Sequence, residues 1–310
     1  MHVAGISITF NDDFKFKEWK QHVNSYRDEL YRHIIVDNGS ASGYITMLEN
    51  AFPGSELIKR STNGGCTGAY NDGIRLALSD PDVDAIMLIG NDIRLEKGGV
   101  TKLYDFLYSN EKYGMAGPVV LKKDSETVEI YGGRINPRTL SFDHLHTGIA
   151  VSDLQEDTVF PDTLPGGMNM AKRSFYEKVG LQDEYLFMYS DEIDTGIRAR
   201  QHDMLMVATK KVLSWHQHIN PGQAVARSPL AGYLWGRNEV YLAKKHFDSG
   251  VIFSNVMFRL KRSFITNLNC WMRQKTSDEK RFWWYYLRGT FAGIFNITGI
   301  PSSLNDSMKK

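Results

Sequence analysis

Met87-Leu-Ile-Gly-Asn-Asp-Ile93 is an apolar run that stops at Asn91-Asp92, the pattern of a buried strand that delivers a carboxylate to the edge of a sheet. In open α/β sheets ligands bind in the crevice beyond the carboxyl ends of the strands. Mg²⁺ or Mn²⁺ is typically held by one or two carboxylates together with substrate phosphates. Taken alone, Asn-Asp after a strand is also ordinary turn chemistry, so the neighbouring segments have to decide between the two readings.

Working outward from this run, the first 120 residues alternate short apolar stretches with segments of helix length. Strands are expected at Val3 to Phe10, His33 to Val36, Glu56 to Lys59, Ala85 to Gly90 and Met115 to Val120. Helices are expected over Phe14 to Tyr31, Gly68 to Ser79 and Gly99 to Ser109. The alternation predicts an α/β fold with a doubly wound, mostly parallel sheet. Gly132 to Pro165, rich in Gly, Pro, Asp, Thr and His, reads as a long loop with a hairpin, a length usually kept for lids and binding loops. A second αβ stretch runs from Gly166 to about Ile219, and from Ala224 onward the chain is mainly helical.

At 310 residues, 42% hydrophobic and 24% charged, the composition is that of a globular protein with a large core. Cys66 and Cys270 match no metal or redox spacing, so no disulfide and a reduced, cytoplasmic compartment are expected. No secretion leader is visible, and no run of about 18 apolar residues implies a membrane-spanning helix. The net charge of +1 hides an asymmetry: Lys244 to Lys310 holds twelve Lys and Arg against four Asp and Glu, a net +8, which leaves −7 for the rest. Such polarity points the C-terminal part at an anionic surface, membrane or nucleic acid.

Four segments offer chemistry. Asp37-Asn-Gly-Ser40 follows a strand; its carboxylate could accept the imide N–H of uracil or thymine, or the segment could be an Asx turn. Asn63-Gly-Gly-Cys-Thr-Gly-Ala-Tyr-Asn-Asp-Gly73 places glycines around a helix start, where backbone can approach a phosphate, yet it is neither a dinucleotide fingerprint nor a P-loop. Asp191, Glu192 and Asp194 follow Ser190 at the expected start of a helix. They would suit the helix dipole as a cap, and crowding would also raise a carboxyl pKa toward that of a general base. Val212-Leu-Ser-Trp-His-Gln-His218 is a strand ending in two imidazoles on one face, a candidate with Asp92 for a mixed Asp/His divalent site. No His-Glu-x-x-His, Cys cluster or Gly-x-Ser-x-Gly elbow is present, which argues against a zinc protease or a serine hydrolase.

The order of these pieces resembles the family 2 glycosyltransferases of GT-A fold, in particular their bacterial rhamnosyltransferase-like branch. The resemblance rests on Ser7-Ile-Thr-Phe-Asn11, Ile35-Val-Asp-Asn-Gly-Ser40, Asn63 through Gly73, Gly90-Asn-Asp92 and Gly166-Gly167-Met168 with Arg173. It continues through Gly180-Leu-Gln-Asp-Glu184, Asp191-Glu-Ile-Asp194 with Arg198, Trp215-His216, and Tyr233 with Arg237-Asn238. These segments follow the family's order over about 240 residues.

The resemblance implies an inverting, metal-dependent transferase moving a sugar from dTDP-rhamnose or a UDP-hexose to a glycan acceptor of a bacterial surface polysaccharide. Asp37 would hold the base with Thr9 and Asn11. Asn63, Gly65, Asn71 and Asn91 would line the nucleotide site, and Arg237 would reach the diphosphate. Asp92 matches the last acid of the family's Asp-x-Asp motif and His216 a histidine of the shell around Mn²⁺ or Mg²⁺, while Gly90 stands where that motif has its first acid. Glu192 matches the catalytic base, with Asp191 beside it. The implied domains are a GT-A catalytic domain over 1–223, nucleotide-binding over 1–120 and acceptor-binding over 121–223, and a helical C-terminal region over 224–310.

In that region Phe253, Met257, Leu260, Phe264, Leu268 and Trp271 fall on one helical line, with Arg259, Lys261 and Arg262 off it. An amphipathic basic helix is expected, either packed on the catalytic domain or in a homodimer, or lying on the inner face of the cell membrane near a polyprenyl-diphosphate acceptor. Two rival readings are a sugar-1-phosphate nucleotidyltransferase and a nucleic-acid-binding protein. The first would carry a basic Gly-rich loop where Asn11-Asp12-Asp13 stands, and the second has no recognised motif here.

Overall fold

The computed structural model describes residues 1–217, 228–273 and 275–304, so His218 lies outside the described residues. The chain divides into two compact units. The first is Met1–Arg134, Asp143–Glu184 and Thr195–Ile219; the second is Ile135–Phe142, Tyr185–Asp194 and Asn220–Lys310.

The elements in chain order are β1 (Val3–Thr9), α1 (Phe16–Tyr26), β2 (Arg32–Asp37), α2 (Ser42–Ala51), β3 (Glu56–Lys59), α3 (Gly65–Leu78), β4 (Ala85–Ile89), β5 (Ile93–Leu95), α4 (Gly99–Tyr108), β6 (Tyr113–Lys122) and β7 (Val128–Ile130). They continue with β8 (Gly133–Ile135), β9 (Phe142–His144), β10 (Thr158–Val159), β11 (Met168–Lys172), α5 (Arg173–Val179), α6 (Asp191–Gln201), β12 (Leu205–His216), α7 (Pro229–His246), α8 (Ser249–Met272) and α9 (Ser277–Ile294).

The first unit is built on a ten-stranded sheet whose main path runs β10-β12-β6-β11-β4-β1-β2-β3. β3, β2, β1 and β4 are parallel, β11 runs antiparallel between β4 and β6, and β6 is again parallel to β12. The sheet is therefore the doubly wound, mostly parallel type expected. β4 reads Ala-Ile-Met-Leu-Ile because both of its faces are covered. Ile86 and Leu88 enter one core cluster with Ile6, Ile34 and Ile74; Ala85, Met87 and Ile89 enter another with Trp19, Leu103 and Leu107. Both clusters are almost wholly solvent-free, which fixes the register and hence where the strand ends fall.

Two elements depart from the expectation. The first helix is limited to Phe16–Tyr26, with tight turns on either side in place of its outer residues. α2 was not foreseen, since only Tyr44 and Leu48 of its ten residues are buried and the apolar period is faint. The 132–165 segment contains the hairpin expected there, β8-β9, and adds the short β10 that borders β12.

In the second unit α7 and α9 pack backbone to backbone. A side chain on Gly232 or Gly236 of α7 would meet carbonyls of Phe282 or Tyr286, and one on Gly289 would meet that of Tyr233. Around this contact Leu230, Tyr233, Leu234, Tyr285 and Ala292 form a small core of their own. No described helix is long and apolar enough to cross a membrane.

Candidate active site

β1 and β2 end side by side, with Thr9 opposite Asp37. The Asp37 carboxylate is fully buried. Its Oδ2 accepts the backbone N–H groups of Gly39 (3.2 Å) and Ser40 (3.1 Å), while its Oδ1 has no hydrogen-bond partner among the described residues. Gly39 makes this turn possible: its φ of +87° is left-handed, and a Cβ there would lie 2.9 Å from the Thr62 carbonyl carbon. Asn38 ties the turn to the glycine loop, donating to Asn63 Oδ1 (2.9 Å) and the Gly65 carbonyl (3.0 Å) and accepting from Gly64 N–H (3.0 Å). Thr9 Oγ1 and the Tyr44 hydroxyl are hydrogen-bonded, and Asn11 Oδ1 accepts the N–H of Ala41 (3.0 Å). Thr9, Asn11, Asp37, Asn63 and Gly65 therefore surround one turn, where a buried acceptor oxygen has been left over.

β4 ends at the same edge. Asp92 follows it, and the pairing of His216 with Ile93 across β12 and β5 sets His216 Nε2 3.7 Å from Asp92 Oδ2. Gly90, standing where the family has an acid, leaves room for this arrangement, since a Cβ there would lie 3.0 Å from Asp92 Oδ1. Two residues that no motif signalled complete the cluster. Lys15 Nζ lies 3.2 Å from Asp92 Oδ2 and donates to Asn91 Oδ1 at 3.2 Å; Glu129 Oε1 lies 3.1 Å from His216 Nδ1. Asn91 in turn donates to Asp12 Oδ2 at 2.6 Å. The loop after β1 thus joins the Asp37 turn through Asn11 to the Asp92 cluster through Asp12 and Lys15.

Burial works against charge on both Asp92 and His216, and in both it is outweighed. The His216 and Lys15 cations hold the Asp92 carboxyl well below its usual range. The carboxylates of Asp92 and Glu129 together lift His216 to about 9. Among the described residues no group of three or more His, Cys, Asp or Glu side chains is arranged to hold a metal ion. The Asp92–His216 pair fits a hard cation only as a partial shell, with Glu129 orienting the imidazole from behind and other oxygens completing the coordination.

The acid cluster lies in the second unit, up to Asp194. Its approach is strained: Phe187, Tyr189 and Ser190 all have φ between 64° and 66°. Asn238 on α7 holds this segment, its amide donating to the carbonyls of Leu186 (3.0 Å), Met188 (3.0 Å) and Tyr189 (2.9 Å). The three acids then differ. Asp194 is fully buried between Lys245 (2.8 Å) and His246 (2.7 Å) and acts as an anchor. Asp191 is buried, and burial with the neighbouring Glu192 charge raises its pKa well above the carboxylate range. Glu192 is only half-buried.

Two expected nucleotide ligands are corrected. Arg237 is 1% exposed, and its guanidinium donates to the carbonyls of Gly299 (2.7 Å), Tyr185 (2.8 Å) and Leu186 (3.1 Å) and to Asn238 Oδ1 (3.0 Å). It stacks 4.8 Å from the Tyr185 ring, so four of its five N–H groups are spent within its own unit and the side chain is almost closed to solvent, which sets it to hold that unit together in place of a diphosphate. Asn71, also 1% exposed, bonds Gln182 through both backbone groups (2.9 and 3.0 Å) and Glu184 Oε1 (2.9 Å), fastening α3 to the 180s segment.

The Glycosyl transferase family 2 model matches residues 8–180, which include the Asp37 turn, the glycine loop and Asp92. The chain belongs to that family. Relatives include the low-salt glycan biosynthesis hexosyltransferase Agl10 of Haloferax volcanii, 24% identical over 296 residues that cover 94% of this chain and 92% of the relative. Another is the N-acetylglucosaminyl-diphospho-decaprenol L-rhamnosyltransferase of Mycobacterium tuberculosis, 22% identical over 69% of this chain and 75% of the relative. The fold resembles the mannosyltransferase PcManGT of Pyrobaculum calidifontis, solved with GDP-Man and Mn²⁺, at a TM-score of 0.56 and 11% identity over 96% of this chain and 88% of that one. It also resembles GalNAc-T7, solved with UDP, GalNAc and Mn²⁺, at a TM-score of 0.57 and 11% identity over 78% of this chain, which spans about half (48%) of that longer protein. The fold is of GT-A type, and the family makes the protein a glycosyltransferase that uses a nucleotide-sugar donor.

Proposed function

We propose that the enzyme inverts configuration as it transfers a sugar from a pyrimidine nucleoside diphosphate, dTDP-rhamnose or a UDP-hexose, to a hydroxyl of a lipid-linked surface glycan. The observation that carries this reading is the leftover Oδ1 of Asp37. A buried acceptor without a partner costs about 1–3 kcal/mol, which an imide N–H from a uracil or thymine would recover. Asp92 and His216 would hold Mn²⁺ or Mg²⁺ beside the donor diphosphate. When bound, the ion would neutralise charge developing on the leaving group. Lys15, already on Asp92, adds a second positive charge at the same place.

Glu192 is the base in this account. The acceptor oxygen forms its bond to the anomeric carbon as the bond from that carbon to the diphosphate breaks, and the acceptor proton passes to Glu192. Asp191 is buried, and burial with the Glu192 charge raises its pKa, which leaves the half-buried Glu192 as the acid assigned to the base role. The name of the mycobacterial relative supports a polyprenyl-diphosphate acceptor, and that of the haloarchaeal one a glycan product. Such an acceptor would set the enzyme against the cytoplasmic face of the membrane.

Incubation with dTDP-rhamnose or a UDP-hexose and a polyprenyl-diphosphate sugar, followed by NMR of the product, tests the reading. The new glycosidic bond should have the anomeric configuration opposite to the donor's. A product of retained configuration would contradict both the single displacement and the role of Glu192.

A further inference from the structure

α8 is built inside out. Its inward line is polar: Asn255, Arg259 and Ser263 are all fully buried or nearly so. Arg259 pairs with Glu239, donates to the Tyr286 hydroxyl and the Thr139 carbonyl, and bonds Asn255 Oδ1 at 2.9 Å, while Asn255 donates to the Arg138 carbonyl at 3.1 Å. A surface helix ordinarily turns its apolar stripe to the core. Here that stripe points outward: Phe253 is 69% exposed and Trp271 76%, with Met257, Phe264 and Leu268 also exposed between them. From Phe253 to Trp271, at about 1.5 Å per residue, this apolar edge runs roughly 27 Å. Soluble monomers rarely leave such a contiguous patch uncovered.

The charges say what covers it. From Ser249 to Met272 there is no Asp or Glu, and Lys261 and Arg262 are exposed beside the stripe, followed by Arg273. α9 repeats the chemistry on its own exposed line, where Trp284 and Phe291 alternate with Arg281 and Arg288. A second copy of this chain docking face to face through α8 would bring Lys261 and Arg262 against their own equivalents with no acid on that helix to offset them. A surface that is apolar just beneath a layer of negative charge matches both features.

We propose that the outward face of α8 lies in the headgroup zone of an anionic lipid bilayer, with Phe253, Phe264 and Trp271 entering the acyl boundary and Lys261 and Arg262 meeting lipid phosphates. The polar inward bonds of Arg259 and Asn255 hold the helix to the protein, so the apolar stripe is left for lipid. No described helix is long and apolar enough to cross a bilayer.

Co-sedimentation of the full chain with phosphatidylcholine vesicles, with and without phosphatidylglycerol, tests this. Binding is expected to the anionic vesicles and to weaken with salt. Phe264→Ser with Trp271→Ser, and separately Lys261→Gln with Arg262→Gln, should each weaken binding about tenfold or more. All four side chains are exposed, and nucleotide binding by the same variants should be unchanged. That control separates a failure here from a failure of the transferase reading. Undiminished binding by both double variants would overturn the proposal, as would wild type that ignores anionic vesicles. A dimer that the Phe264→Ser, Trp271→Ser variant dissolves would overturn it too, assigning the face to a second copy.

Discussion

Asp191 and Glu192 are adjacent in sequence but differ in burial, and substitution should separate them. Glu192→Gln should lower kcat by about 10²-fold or more with the donor KM little changed, the scale of a lost general base. Asp191→Asn, which replaces a buried acid of raised pKa with a neutral isostere, should cost less than about tenfold. Steady-state kinetics of the two variants check this, and the reverse order would move the base by one residue. His33 offers a test of stability. It is buried on β2 with Nδ1 2.8 Å from Ser55 Oγ, and burial, helped by the Arg27 charge, lowers its pKa to about 4. The folded state excludes a proton that the unfolded chain accepts below about 6.5, so stability is present above that pH and is lost as pH falls toward 4. Urea unfolding across this window should show up to about 3 kcal/mol of loss from this group, and His33→Phe should flatten the dependence.

Asp37 and Asp92 were legible at this scale because a polar residue closing an apolar strand stands out against its neighbours. Lys15 and Glu129 were not, since each acquires its meaning from a partner 77 or 87 residues away. Arg237 and Asn71 were misplaced because sequence shows a side chain's chemistry without showing which of its hydrogen bonds are already made.

At the scale of elements, the carboxyl edge of the sheet depends on strands that were easy to read and on connections that were not. β4 was evident from its unbroken apolar run, whereas α2 buries too few residues to show a helical period. The strained entry to α6 could not be read at all, because Phe187, Tyr189 and Ser190 are poor signals for left-handed backbone. α7 supplies the force that holds it. Asn238→Ala removes the donor to three carbonyls and should destabilise the protein by about 2–3 kcal/mol. If the clamp positions the acid pair, kcat should fall while the donor KM stays near wild type. A loss of stability with kcat unchanged would make Asn238 a structural residue only.

For the molecule as a whole, the alternating pattern and the order of motifs were enough to indicate a GT-A transferase with a helical C-terminal region, and the family match and fold agree. The outward turn of the α8 stripe was not readable, because an amphipathic period shows that two faces differ and leaves open which one packs. The central claim is that the carboxyl edge of the first unit's sheet binds a pyrimidine nucleoside diphosphate with a divalent ion. Calorimetric titration of UDP and dTDP into wild type, Asp37→Ala, Asp92→Ala and His216→Ala, each with Mn²⁺ and with EDTA, measures it directly. The account predicts tight binding by wild type only with Mn²⁺, loss of that metal dependence in Asp92→Ala and His216→Ala, and weakened binding with lost base preference in Asp37→Ala. Binding by wild type that is indifferent to Mn²⁺ and unchanged in all three variants would contradict it.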